Sequence, residues 1–310
     1  MMTDFATLSL LGVYSAMAVY TVSFLSFTWD LAKRSSLAPV PVSVGGPATS
    51  EQSLEPTAHR APGTVFLAIG QVLLVVGFVF HLGATVLRGV AAERVPWANM
   101  FEFGLTATAT IVAVFLGAML WRDVSYLGAY VAGFVVLSLG IVTVNFYVDV
   151  VPLPPALQSS WLVIHVFVAS LATAFFALGA GLSIAQLVRA RLEARQMAKA
   201  RLFNTLPSSS VLESLAYRLN VVGFVLWTFT LIAGAIWAER AWGRYWGWDT
   251  KEVWTFIIWV LFAGYIHARA TRGWRGSRAA WLAIIGFGAV LFNYTVVNIA
   301  FTGLHSYSGL

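Results

Sequence analysis

The chain contains no cysteine, which excludes disulfides, thiolate metal sites, iron–sulfur clusters and thiol catalysis. It is also poor in charge: only 10% of its 310 residues are charged, against about 25% in an ordinary soluble protein. A soluble protein of this size needs charged side chains to cover its surface, so we exclude a soluble globular protein. Intrinsic disorder is excluded for the opposite reason, because 59% of the residues are hydrophobic.

Long apolar runs dominate what is present. Each is close to the roughly 20 residues that a membrane-spanning helix needs, and none alternates in the way a barrel strand does. The sequence therefore predicts an all-α polytopic membrane protein with about eight transmembrane helices. The predicted spans are 5–29, 63–87, 103–121, 125–148, 161–188, 217–238, 253–268 and 279–301.

The basic residues indicate how these helices are oriented. Of the 19 Lys and Arg residues, 14 fall in one set of connections, and we take that set to be cytoplasmic because positive charge favours the inner side. Only five lie in the other set: Arg88, Arg94, Arg240, Arg244 and Lys251. Both termini are then expected outside, and the charge distribution reflects membrane topology instead of nucleic-acid binding. We divide the chain into a first helix (1–30), a flexible proline-rich cytoplasmic loop (31–62) that contains His59, and a helical membrane domain (63–310).

Tryptophan is concentrated in one outer loop, residues 239–252, and the helices beside it. Six of the thirteen tryptophans fall within 23 residues, and the loop itself holds Trp242, Trp246 and Trp248 with two glycines. An interfacial aromatic belt explains one or two tryptophans at a helix end. Flat aromatic faces beside glycine suit a large planar apolar ligand. Both interpretations are open at this point.

Charged residues of the outer loops also permit two interpretations. Asp249 with Glu252, and Asn99 with Glu102, have the spacing of capping boxes at the starts of helices. Lys251, Arg240 and Arg244 are excess positive charge on the side that is expected to be poor in it. A bound anionic group, such as a propionate, would account for them.

Two of the five histidines are expected at the level of the tryptophan loop. His165 lies just inside the fifth predicted span and His305 just beyond the eighth. They are either a pair that can ligate haem iron or two unrelated interfacial histidines. His267 and His81 lie within spans at different depths, so we do not expect them to ligate one metal together.

The residues from Trp242 to Glu252, Trp-Gly-Arg-Tyr-Trp-Gly-Trp-Asp-Thr-Lys-Glu, resemble the WWD signature of haem-handling proteins. Together with Tyr265-Ile-His267-Ala-Arg269 they are similar to the CcsA (ResC) family of cytochrome c biogenesis. The segments 155–165 and 303–307 and the pattern from Asn99 to Glu102 agree with that family. The resemblance covers about residues 64–310.

The resemblance implies that the chain works with a CcsB (ResB) membrane protein on haem b. The pair would move haem outward and join its vinyl groups to a Cys-x-x-Cys-His segment of apocytochrome c, as a holocytochrome c synthase. It implies that His165 and His305 ligate the iron at the outer face and that His267 helps bind haem inside the membrane. Trp242, Trp246, Trp248 and Asp249 would line the haem site. Weaker candidates are His81, Arg240, Arg244 and Lys251. We expect no catalytic residue beyond those that position haem.

We expect a bacterial plasma membrane with the site on its outer face; a thylakoid membrane would give the same pattern. Three alternatives are open: a haem exporter that attaches nothing, a b-type cytochrome that transfers electrons, and a helical scaffold. Electron transfer would place paired histidines on facing helices near mid-membrane. An exporter needs the same ligands as a synthase, so sequence does not separate the two.

Overall fold

The structure, a computed structural model, describes residues 2–37, 64–151, 153, 155–194, 206–271, 273–301 and 303–305. Nine α-helices and two short 3-10 turns, with no strand, make up the secondary structure of these residues. The helices are α1 Met2–Leu37, α2 Val65–Ala92, α3 Met100–Trp121, α4 Gly128–Phe146, α5 Ser160–Ala194, α6 Ser209–Trp242, α7 Thr250–Thr271, α8 Ser277–Tyr294 and α9 Val296–Ala300.

Eight of these segments are long and apolar enough to cross a membrane, α8 and α9 together forming the last one. The predicted all-α polytopic fold with about eight spans is therefore confirmed. Most spans exceed their predicted bounds by several residues, because the helices continue into polar sequence that hydropathy alone does not count. The fourth, Ser125–Phe146, instead ends two residues before its predicted limit of 148. Helix α1 reaches Leu37, so the first residues assigned to the loop 31–62 are helical. The rest of that loop, with His59, lies outside the described residues.

Small residues let the helices pack closely. Helices α1 and α2 form one extensive pair, in which a Cβ added at Gly77 would lie 2.6 Å from the ring of Tyr20. Helices α5 and α6 form another, where Gly223 leaves room for the ring of Phe176. In a bilayer there is little hydrophobic driving force between helices, so close packing of this kind contributes to their association together with interhelical hydrogen bonds.

The ends of the bundle differ in chemistry. We call the end that contains the described residues of the ranges 93–99, 147–159, 243–249 and 301–305 the tryptophan end. There, the buried carboxylate of Glu102 pairs with Arg88 at 3.0 Å and with Arg94 at 2.6 Å. At the opposite end Glu213 pairs with Arg269 at 2.6 Å and accepts the amide of Gly276. The Glu102 ion pairs fix α2 and α3 at the end of the bundle that holds the cavity described next.

Candidate functional site

A cavity of about 250 Å³ lies at the tryptophan end of the bundle. Helices α3 to α8 all contribute to its wall, which is mostly apolar and aromatic. Both His165 and His305 line it, and so does Thr173, eight residues after His165. At 1.5 Å per residue, the cavity therefore extends about 12 Å along α5 from His165 into the bundle. A deep apolar cavity with few polar groups is the usual form of a site for a large organic ligand.

His165 is held in the cavity wall by the neighbouring helix α6. Its Nδ1 lies 2.9 Å from the carbonyl oxygen of Thr230, and its ring stacks on Trp237 with centroids 5.9 Å apart. The ring passes so close to Gly234 that an added Cβ would lie 2.7 Å from Cε1. Because a carbonyl only accepts, Nδ1 must carry the proton, and the lone pair of the neutral ring is on Nε2.

His305 is held in a similar way by the tryptophan loop. Its Nδ1 donates to Asp249 Oδ1 at 2.9 Å. Its ring contacts Trp242 and Trp237, with centroids 4.7 and 5.4 Å away. The hydrogen bond from His305 lowers the pKa of Asp249 to about 2, so the carboxylate is ionised at neutral pH. The acceptor lone pair of His305, when the ring is neutral, is again on Nε2.

Both histidines thus have the arrangement that metal-ligating histidines need. In each, the second nitrogen donates to a fixed acceptor, which orients the ring and raises the basicity of the other nitrogen. Within the described ranges, Nε2 of His165 and of His305 has no hydrogen-bond partner. Trp237 touches both rings and is nearly fully buried. No group of three or more His, Cys, Asp or Glu side chains suited to a metal occurs in the part of the chain that is described.

Asp249 also forms the cap that its spacing predicts. Its Oδ1 accepts the amide of Lys251 at 3.0 Å, and Glu252 reaches back to the amide of Asp249 at 3.1 Å. Its Oδ2 accepts the amide of Leu304 at 2.9 Å, which fastens the segment carrying His305 to the start of α7. The capping interpretation is therefore confirmed, and the same carboxylate also positions a histidine.

The three tryptophans of the predicted loop 239–252 have different environments, and Trp242 belongs to the last turn of α6 instead of the loop. Trp246 lines the cavity and is partly exposed. Trp242 does not line it but packs edge-on against His305 and Trp237. Trp248 is 74% exposed, touches Trp246 and has φ of 60°. A bulky residue in this left-handed region is strained by about 1–3 kcal/mol.

The three candidate cations near the tryptophan loop also have different surroundings. Arg240 is exposed and does not line the cavity. Arg244 donates to Glu252 at 3.2 Å and lies outside the cavity wall. Lys251 does line the cavity, and its ammonium group donates to Asn298.

The two histidines expected inside the membrane do not meet. His81 is fully buried, with Nε2 2.9 Å from the carbonyl of Leu105 and Nδ1 3.4 Å from the Tyr20 hydroxyl. It joins α1, α2 and α3 and does not line the cavity. His267 is exposed on α7, four residues before that helix ends at the opposite end of the bundle.

Sequence reasoning missed several residues of this site. Trp237 was counted in the cluster but not assigned, although its ring contacts both histidines. Gly234 precedes it by three residues and so lies on the same helix face, which was an available signal. The contribution of Asn298 could not be found this way, because it depends on how α9 lies against α7.

Fold and site together define the class: a polytopic helical membrane protein with a histidine pair in an apolar cavity beside a tryptophan-rich loop. The sequence model described as Cytochrome C assembly protein matches residues 97–305, which is two thirds of the chain. The chain belongs to that family. The resemblance inferred from the tryptophan motif is thereby confirmed.

Individual relatives agree with this placement. The cytochrome c biogenesis protein CcsA of Guillardia theta is 35% identical over 240 residues, covering 72% of this chain and 80% of that protein. CcsA of Synechococcus sp. (strain CC9902) is 42% identical over 176 residues, which is 50% of this chain but only 58% of that relative's length. The solved structure of Cytochrome c Heme Lyase CcmF is similar with a TM-score of 0.65 and 17% identity, over 94% of this chain and 46% of that one. At that identity the likeness shows the fold alone.

Proposed function

We propose that this protein acts in cytochrome c biogenesis by holding haem b for covalent attachment to apocytochrome c. The observation that carries this proposal is the histidine pair: His165 and His305 line one cavity, and each has Nδ1 anchored and Nε2 uncommitted among the described residues. Haem is the substrate. The two Nε2 atoms would ligate its iron, while Trp246 and Trp237 supply apolar contact for the ring.

The proposed reaction is the addition of two cysteine thiols to the two vinyl groups of haem. Each sulfur bonds to a vinyl carbon and each thiol proton ends on the neighbouring carbon, so no oxidant or reductant is consumed. Because this chain has no cysteine, both thiols come from the Cys-x-x-Cys-His segment of apocytochrome c. The histidine of that segment would displace one protein ligand and bring both thiols beside the vinyls. Catalysis is then mainly proximity and orientation.

The tryptophan end is, on this proposal, the outer face of a plasma membrane. Positive charge is concentrated at the opposite end, which supports a cytoplasmic assignment for it. We propose that haem reaches the outer cavity from the region of His267, with a CcsB-type partner supplying a second ligand there. The exposure of His267 on α7 supports this, since a histidine facing lipid alone would be costly.

The alternatives differ in what they require of the histidines. A b-type cytochrome needs facing histidines within the membrane, and the separate surroundings of His81 and His267 do not favour it. A haem exporter would use the same cavity without forming thioethers. Transfer of haem to an apocytochrome peptide by the purified complex distinguishes the two, because only a synthase yields haem that stays on the peptide under denaturing conditions.

The direct test is the absorption spectrum and haem content of the protein purified with its partner. We expect His165→Ala and His305→Ala to lose haem or change its ligand-sensitive bands, with the helical fold intact. His81→Ala is the matched control, because it removes a histidine that does not line the cavity. An effect confined to His267→Ala would move the main site into the membrane and contradict the outer histidine pair. If the wild-type complex is purified without any haem, the proposal that this protein binds haem is wrong.

A further inference from the structure

Lys251, a cation of the cavity wall, forms no ion pair with a carboxylate of the described residues, and the neighbouring carboxylates accept hydrogen bonds from other groups. Glu252 accepts from Arg244 and from the amides of Gly247 and Asp249. Asp249 accepts from His305 and from two backbone amides. The ammonium of Lys251 donates to a neutral amide, Asn298 Oδ1, and no carboxylate of the described residues lies within ion-pair distance of it.

The position of Lys251 makes this arrangement unfavourable without a ligand. It lies in the first turn of α7, where the helix dipole is positive and favours anions over cations. It also lies within a span, where an ionisable side chain is costly and usually functional. The cap provided by Asp249 uses only the backbone amide of Lys251, so the side chain has no part in it.

Asn298 holds the ammonium in a defined direction. Its own Nδ2 donates to the carbonyl of Tyr294 at 2.7 Å, which leaves Oδ1 directed at Lys251. Both residues line the cavity that contains His165 and His305. An ammonium group has three protons, so two are available to a further acceptor.

We propose that Lys251, oriented by Asn298, binds a carboxylate of the tetrapyrrole in the cavity and thereby sets which edge of the ring faces the apocytochrome. This deepens the proposed function and rests on it. Haem b carries its two carboxylates on one edge and its vinyls elsewhere on the ring. A fixed carboxylate therefore fixes the vinyls. Arg244 is not equivalent, because Glu252 neutralises it, and neither is Arg240, which lies outside the cavity wall.

The test compares haem with its dimethyl ester, which has the same ring and vinyls but no carboxylate. Both are titrated into the purified complex. We expect the wild type to bind haem at least about tenfold more tightly than the ester, since a hydrogen bond to a charged group is worth that much. Lys251→Met should abolish this preference by weakening haem alone, and Lys251→Arg should retain part of it. Arg240→Met, which removes a charge at the same end, should leave the preference unchanged.

Each result separates this inference from the proposed function. If the wild type binds neither compound, the proposed function fails. If the wild type binds haem and the dimethyl ester equally tightly, the proposed role of Lys251 is wrong but the proposed function stands. This comparison uses the wild-type protein alone, so it does not depend on whether a variant folds. The role of Lys251 is also wrong if Lys251→Met still binds haem more tightly than the ester. It is wrong as well if Arg240→Met loses this preference for haem to the same extent as Lys251→Met. Were Lys251 the counter-ion of a lipid phosphate instead, the ester would bind as tightly as haem.

Discussion

Two helices begin at the tryptophan end with the same capping pattern, yet the two caps serve different purposes. At α3, Asn99 accepts the amide of Glu102, and Glu102 is fully enclosed by Arg88 and Arg94. At α7, Glu252 meets a single, partly exposed arginine, and the capping carboxylate of Asp249 extends outward to His305. One cap is closed on itself and stabilises the fold. The other is open and uses a capping residue to position a cavity histidine.

We expect the two caps to differ most in how much stability is lost when the glutamate of each is changed to glutamine. Glu102→Gln leaves two buried arginines without a carboxylate, and we expect a loss of about 3–5 kcal/mol in the free energy of unfolding. Glu252→Gln retains one acceptor oxygen beside a partly exposed arginine, and we expect about 1–2 kcal/mol. Equilibrium unfolding in detergent micelles measures both. Equal losses would show that the two caps are energetically alike.

Next in size is the effect on ligand binding at the open cap. Asp249→Ala removes the partner that orients His305, and we expect haem affinity to fall about 10–100-fold, as for other second partners of metal ligands. Asp249→Asn retains a good helix cap but loses the charge, so we expect it to lose less haem affinity than Asp249→Ala. It should also keep the stability of about 1 kcal/mol that the alanine variant loses with the cap. Haem titration and thermal unfolding of both variants separate the two roles. Wild-type affinity in both would remove Asp249 from the site.

The smallest effect is expected at the closed cap. Asn99→Ala should cost about 1 kcal/mol of stability through the lost cap. Asn99 lines the cavity but positions no histidine, so haem affinity should change by less than about threefold, which is below the effect expected at Asp249. The same titration measures it. A loss as large as that of Asp249→Ala would contradict the distinction between the two caps.

Local chemistry explains which features could be predicted from sequence. Span length and hydropathy are properties of contiguous residues, so all eight spans were predicted, and a capping box needs only four residues. The common level of His165 and His305 followed from counting residues to the membrane surface. Their approach to one cavity was expected only from the family resemblance.

Features that depend on how helices rotate against each other could not be predicted. Trp237 contacts both histidines because α6 turns that face toward α5, which no local pattern specifies. The pairing of Lys251 with Asn298 joins the first turn of α7 to α9, 47 residues later. Likewise, a half-turn of its helix would expose His81 or bury His267, and both residues lie in apolar spans whose sequence does not fix that rotation.

The attachment of His305 implies an order of ligand exchange. His165 has its backbone fixed in a 35-residue helix, whereas His305 lies beyond the last helix, in residues 303–305, and is fastened there by the two oxygens of Asp249. On a bound haem, the ligand from His305 would therefore be easier to displace than the ligand from His165. When a third imidazole competes for the metal, we expect the bond to His305 to break first and the bond to His165 to remain. The haem would then stay bound to His165 while the histidine of apocytochrome c replaces His305.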